Sequence, residues 1–171
     1  AIFTIEFFLK NKQAFAAIYG HFCVKPILAG RCYARSYFLA PPPMPTTTTQ
    51  GVTVSVTTNY LPDYSSPGQE HFVFAYKIDI RNNSEFTVKL LRRHWHIHDA
   101  NGVVREVEGE GVVGRQPVLE PGEAHQYVSG CNLKSGVGKM RGTYLMERLA
   151  NGQEFTVDIP EFTLMVPYRL N

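Results

Sequence analysis

No stretch of the 171-residue chain approaches the roughly 20 consecutive apolar residues of a membrane-crossing helix, so no membrane span is expected. Cysteine is scarce. Cys23, Cys32 and Cys131 are odd in number and lack CxxC spacing, which argues against a disulfide framework or a zinc module and for a reducing compartment. Net charge is small, at +2, too little to imply nucleic acid on its own. With 44% hydrophobic residues the chain has too much apolar content for global disorder. Its length suits one domain with its own core and excludes an enzyme built from separate cofactor and substrate lobes.

The small charge is unevenly placed. Residues 1–50 hold five basic side chains (Lys10, Lys12, Lys25, Arg31, Arg35) against one acid, Glu6, whereas residues 51–171 hold 12 basic and 14 acidic groups. The leading segment is also rich in aromatics. Phe15, Ile18, Tyr19 and Phe22 recur at helical spacing on one face, and Tyr37 and Phe38 follow. Asn11 is a candidate helix cap, and Pro26 ends the pattern. This arm is too small to form a core, so these six residues are expected to dock on the main domain or on a partner protein. Its basic, acid-poor, amphipathic character also fits an organellar targeting segment. Together with a first residue that is not Met, that tips the expected localisation toward a mitochondrial or other organellar matrix over the cytoplasm.

Ala40–Pro45, with three consecutive prolines, cannot continue a helix, and with Thr46–Thr49 it reads as a hinge. The expected division is an arm and hinge over residues 1–45 and a domain over 46–171. From Gly51 onward the pattern is strand and turn. Val52, Val54 and Val56 alternate with polar residues, as do Phe72, Phe74, Tyr76, Ile78 and Ile80 within His71–Arg81. Further strands are expected over Phe86–His98, Ala124–Leu133, Met140–Leu149 and Glu154–Ile159, the last pair joined at Asn151-Gly152. Pro160 breaks that run before a final strand, Phe162–Val166. Seven or eight strands with turn signals between them predict an all-β protein. The expected fold is an antiparallel β-sandwich of the immunoglobulin or fibronectin type III kind.

Several motifs then occur in order: Arg93-His-Trp-His-Ile97, Glu106-Val-Glu-Gly-Glu-Gly-Val-Val-Gly114, Pro117–Glu123, Tyr127–Gly130 and Gly138–Tyr144, with Ile159-Pro-Glu-Phe162 near the end. In these residues the chain resembles the ApaG (DUF525) domain family over about residues 51–171. The resemblance implies a fibronectin type III-like sandwich and a role in protein–protein interaction. It also implies a genetic link in bacteria to cobalt resistance and magnesium efflux, and it argues against catalysis. Residues 1–45 are an extension outside the compact bacterial pattern.

Gly109, Gly111 and Gly114 spell GxGxxG, but Arg115-Gln-Pro117 follows instead of a helix, which removes the dinucleotide reading. A bent glycine loop can still form a small-anion cradle for pyrophosphate or nucleotide, with Arg115, Arg92 or Arg93 adding charge. Glu108 and Glu110 oppose it. Positive φ or close backbone approach is the competing explanation of the glycines.

His94, His96 and His98 share one strand face, with Trp95 and Ile97 turned into the core. Three such positions span roughly 13 Å, too far for one ion, so the expected metal pair is His96 and His98, with Asp99 adjacent. Gly136-Val-Gly-Lys139 fails as a P-loop because Met140 stands where the magnesium-binding hydroxyl belongs. No nucleophile–base constellation stands out, and Cys131 reads as an inert core thiol.

The expectation is a non-catalytic protein–protein interaction module without a cofactor, an accessory subunit or adaptor docked through its arm. Small-anion or divalent-metal sensing is the alternative. A slightly acidic sandwich with no groove-reading element argues against nucleic acid.

Overall fold

A computed structural model of the chain describes residues 2–3 and 44–167. The expected sandwich is there. One sheet contains Ile2–Phe3 (β1), Thr46–Thr49 (β2), Val52–Tyr60 (β3), Phe72–Asn82 (β4) and Ala124–Leu133 (β8), in the order β1-β8-β4-β3-β2. The other contains Val88–Asp99 (β5), Val104–Glu110 (β6), Val137–Arg148 (β9) and Gln153–Met165 (β10), in the order β10-β9-β5-β6. Val118–Leu119 (β7) runs beside the start of β5. All pairings are antiparallel. The turn-rich loop between β3 and β4 carries two single 3-10 turns, Pro62–Tyr64 and Pro67–Gln69.

Alternation fixes which face each strand buries. Val52, Val54 and Val56 of β3 and Phe74, Tyr76, Ile78 and Ile80 of β4 are all buried. They meet Leu90, Trp95, Ile97 and Tyr144 from the opposite sheet in one core. Fully burying an aliphatic or aromatic side chain of this size contributes about 1.5–3 kcal/mol, so this interface dominates the stability of the domain. Trp95 is at its centre, its ring 5.6 Å from that of Tyr76 and 5.9 Å from that of Phe162, both nearly edge-on. Gly142 pairs with Trp95 on β9, and a Cβ there would meet the His94 carbonyl at 2.2 Å and the indole at 3.0 Å. The missing side chain leaves room for the indole beside the neighbouring strand.

Two expectations at strand ends change. Thr46–Thr49 is not part of the hinge: it is an edge strand paired with Val52–Ser55 of β3, as β-branched residues favour. The Pro45 carbonyl already accepts from the Val56 amide at 3.0 Å. Nor does Pro160 end a strand. β10 runs continuously from Gln153 to Met165, and the register shifts between Ile159 and Phe162, so the proline sits in a bulge on an edge strand.

Backbone polar groups at the strand ends are satisfied by side chains. Asn82, fully buried, donates to the carbonyls of Phe86 (2.8 Å) and Leu119 (3.0 Å), while its Oδ1 accepts from the Ser84 amide and hydroxyl. Arg105 of β6 reaches across to the Asn132 carbonyl on β8 and closes one side of the sandwich.

Candidate functional site

The residues that could carry chemistry lie mainly on the outer face of the β10-β9-β5-β6 sheet. The turn after β5 sets the register of β6, pairing His98 with Val104 and therefore His96 with Glu106 and His94 with Glu108. Glu106 sits between two imidazoles. Its Oε2 is 3.4 Å from His94 Nε2 and its Oε1 is 3.5 Å from His96 Nδ1. The two imidazole rings lie 4.4 Å apart, centre to centre. Among the described residues, this trio is the group whose ligand atoms all lie within 4.8 Å of one another.

The expected pairing of His96 with His98 is therefore not the one the sheet assembles. His98 faces Lys139 across the β5–β9 ladder, in the region of the Lys139–Glu161 ion pair (2.8 Å). The Lys139 ammonium bonded to the Glu161 carboxylate holds it below the usual carboxylate range, with smaller contributions from Arg141 and His98. Asp99 is not available either. It is buried, accepts from the Lys134 amide at 2.7 Å and from the Ser135 hydroxyl, and so staples the β8–β9 turn.

The glycine loop is built differently from an anion cradle. Gly111, Val113 and Gly114 all have positive φ, and the Val112 and Arg115 backbones exchange hydrogen bonds of 2.8 and 3.0 Å around a two-residue turn. The Gly111 amide donates to the Leu91 carbonyl. Three of the loop's amides are thus already committed, and Val112 is buried in the core. Gly111 is required for close approach, since a Cβ there would stand 2.1 Å from the Arg115 carbonyl oxygen.

Arg93 does not extend toward solvent to meet a phosphate. Alternation along β5 puts it on the inner side with Trp95 and Ile97, where its Nη1 donates to the carbonyls of Glu110 (2.9 Å) and Gly111 (2.8 Å). A Cβ on Gly109 would touch this guanidinium at 3.2 Å. Arg92 points outward to Glu108 at 3.2 Å, and Arg115 is exposed beyond the turn. The loop therefore presents carbonyl oxygens to a cation, with Gly109, Gly111 and Gly114 serving backbone geometry.

Among the described residues, several buried titratable groups are shifted by the core. Burial pushes the Cys131 thiol up to about 11, outweighing Arg105, which pulls the other way. Burial likewise raises Tyr76, Tyr127 and Tyr144 well above the ordinary tyrosine range. Tyr127 and Tyr144 join hydroxyls at 2.5 Å across the two sheets. Among the described residues, every buried side-chain nitrogen and oxygen has a hydrogen-bond partner.

Phe15, Ile18, Tyr19, Phe22, Tyr37 and Phe38, the expected docking residues, lie outside the described residues. No helix of the described residues is long and apolar enough to cross a membrane.

Comparison with known proteins agrees with this architecture. The ApaG domain family model matches residues 62–148. Protein ApaG of Paramagnetospirillum magneticum is 52% identical over 127 residues, covering 72% of this chain and 97% of the relative. Protein ApaG of Brucella anthropi is 51% identical over 119 residues, covering 70% and 91%. A crystal structure from Bordetella pertussis, described as that of an ApaA protein, superposes with a TM-score of 0.67 at 44% identity, covering 75% of this chain and 100% of that one. With the matched region running through β4, the paired histidine strand and the glycine turn, the chain belongs to the ApaG domain family.

Proposed function

We propose that the chain is a non-catalytic protein–protein interaction module, an accessory subunit or adaptor that docks into a larger assembly through its N-terminal arm. One observation carries the reading: the sandwich satisfies itself. Its core is continuous between both sheets, and burial favours the neutral forms of Cys131, Tyr76, Tyr127 and Tyr144. On this reading the domain acts through its surface and whatever is attached to it. The arm supplies the apolar anchors, and buried aromatics dominate contact energies. The exposed Met44 and Met165 line a groove of about 450 Å³ together with Pro45, Val56 and Phe162 and with the polar side chains of Thr57, Thr58, Glu161 and Thr163. The basic, amphipathic arm also favours a mitochondrial or other organellar matrix as the working compartment.

Affinity capture with the full chain and with residues 46–171, followed by identification of the bound proteins, tests the proposal. A defined set of partners lost with the arm, while the circular dichroism of the sandwich is kept, supports it. An unchanged set of partners overturns it.

A further inference from the structure

We propose that His94, His96 and Glu106 form an open three-ligand site for a first-row transition-metal dication such as Zn²⁺ or Ni²⁺. The inference is independent of any docking role for the arm. It starts from strand geometry: β5 sends alternate residues outward, and β6 places a carboxylate directly opposite the second imidazole.

The distances suit a metal site, although His94 Nε2 and Glu106 Oε2 also make a long hydrogen bond of 3.4 Å. The two nitrogen–oxygen contacts, 3.4 and 3.5 Å, are long for hydrogen bonds. Each is close to the edge of a tetrahedron with metal–ligand bonds of about 2.1 Å, about 3.4 Å, and one ligand atom from each of the three residues lies within 4.8 Å of the other two. Both carboxylate oxygens face imidazole nitrogens, one each, so an ion entering between the rings finds Glu106 already turned toward it. Two imidazoles with one carboxylate is a donor set suited to Zn²⁺, Ni²⁺ and Fe²⁺. Three protein ligands on an outward face leave the remaining coordination positions to water or to a group from another molecule.

The surrounding charges are compatible. Arg92, two residues before His94 on the same strand, is engaged by Glu108 at 3.2 Å. Arg141 stands opposite His96 on β9 and opposes a cation, but it also interacts with Glu161. Among the described residues, the ion-pair contacts of Glu106 are these two imidazoles. Beneath the trio, Trp95 and Ile97 are buried and hold the strand in place. The imidazoles are thus carried by a rigid element instead of a loop. Sequence spacing pointed to His96 and His98. The third donor came from a neighbouring strand, and it selects His94 instead.

Titration calorimetry of the full chain with Zn²⁺ tests the site, together with NMR of the histidine ring signals during Ni²⁺ addition. The expected result is one saturable Zn²⁺ site, weakened about tenfold or more in His94→Gln, His96→Gln and Glu106→Gln and unchanged in His98→Gln. Ni²⁺ should broaden the His94 and His96 ring signals before those of His98 and His125. Mg²⁺, which prefers oxygen ligands, should not compete. Absence of saturable binding by the folded wild-type chain overturns the proposal. So does retention of binding in both histidine variants, loss of binding in His98→Gln, or competition by Mg²⁺ as strong as by Ni²⁺. The ring-broadening order in the wild type decides the matter even where a variant folds poorly.

Discussion

Arg93 donates from Nη1 to the carbonyl of Gly111 at 2.8 Å, so the most phosphate-like loop in the chain is turned toward a cation supplied by the protein itself. The same nitrogen holds the Glu110 carbonyl. Arg93→Ala leaves both carbonyls without this donor, and hydrogen bonds to charged groups are worth about 1.5–3 kcal/mol each, so a loss of about 2 kcal/mol or more is expected. Arg93→Lys should recover part of it, because an ammonium can reach one carbonyl but lacks the planar fork. Urea midpoints of the three proteins measure this. Calorimetry with pyrophosphate on the wild type should give no saturable heat. A stoichiometric pyrophosphate signal would show that the remaining loop amides make a cradle after all.

Gly111→Ala should be among the most damaging single substitutions in the loop. Its φ of 55° is left-handed, which disfavours a Cβ, and that Cβ would stand 2.1 Å from the Arg115 carbonyl oxygen. Both elements of the clash are backbone, so a rotamer change cannot relieve it. A cost of about 2–4 kcal/mol is expected. Gly114→Ala has the same backbone strain, φ 72°, but meets nothing within 4 Å, and should cost about 1 kcal/mol. The comparison of thermal midpoints separates close approach from left-handed strain. Equal shifts would mean that approach to Arg115 is not the constraint.

Trp95 and Gly142 form a second such pair, a fully buried indole on a strand position without a side chain. Trp95→Ala should cost about 3–5 kcal/mol through lost burial and the cavity left behind. Gly142→Ala should approach that cost for the opposite reason, overpacking against the His94 carbonyl. In Trp95→Ala/Gly142→Ala the clash with the indole disappears but that with the carbonyl stays. The double variant should therefore be no more stable than Trp95→Ala. A double variant that regains stability would place the conflict at the indole alone.

Much of the sandwich was legible because period-two alternation is local. Val52, Val54 and Val56, or Phe74 through Ile80, declare their buried face within a few residues. Ala124–Leu133 could be bounded from the turn at Glu120–Glu123 and the end of its apolar run. Pro160 misled because proline is usually a breaker, and its tolerance here depends on β10 being an edge strand, which is a property of the whole sheet. The candidate site was half legible. That the histidines share a face follows from β5 alone, but the choice of His94 over His98 depends on where Glu106 lies after the turn. The turn at Asp99–Gly102 carried that register, pairing His98 with Val104 and so His96 with Glu106. Arg93 stands two residues before Trp95, so the same alternation places it inward; what was not legible is that the Glu110 and Gly111 carbonyls come within its reach once the loop closes.

Cys131 makes stability depend on alkaline pH with a definite sign. Burial raises its thiol from an ordinary value of 9.0 to about 11. Below pH 9 the thiol is neutral in both the folded and unfolded chain, so the folded state keeps its full advantage. As pH rises past 9 the unfolded chain ionises first, and stability falls until the folded thiol also ionises near 11. By pH 10 the loss should reach about 1 kcal/mol from this group alone. The raised Tyr76, Tyr127 and Tyr144 hydroxyls add to it once pH exceeds their ordinary value of 10.0. Urea midpoints should therefore decline between pH 8.5 and pH 10, and the early part of that decline should vanish in Cys131→Ala, whatever the variant does to stability at pH 7. In the folded wild type the Cys131 thiol should resist aromatic disulfide reagents at pH 8 and react once urea exposes it. Rapid labelling of Cys131 in the native chain, or an equal alkaline decline in Cys131→Ala, would mean that the thiol is not held neutral by the core.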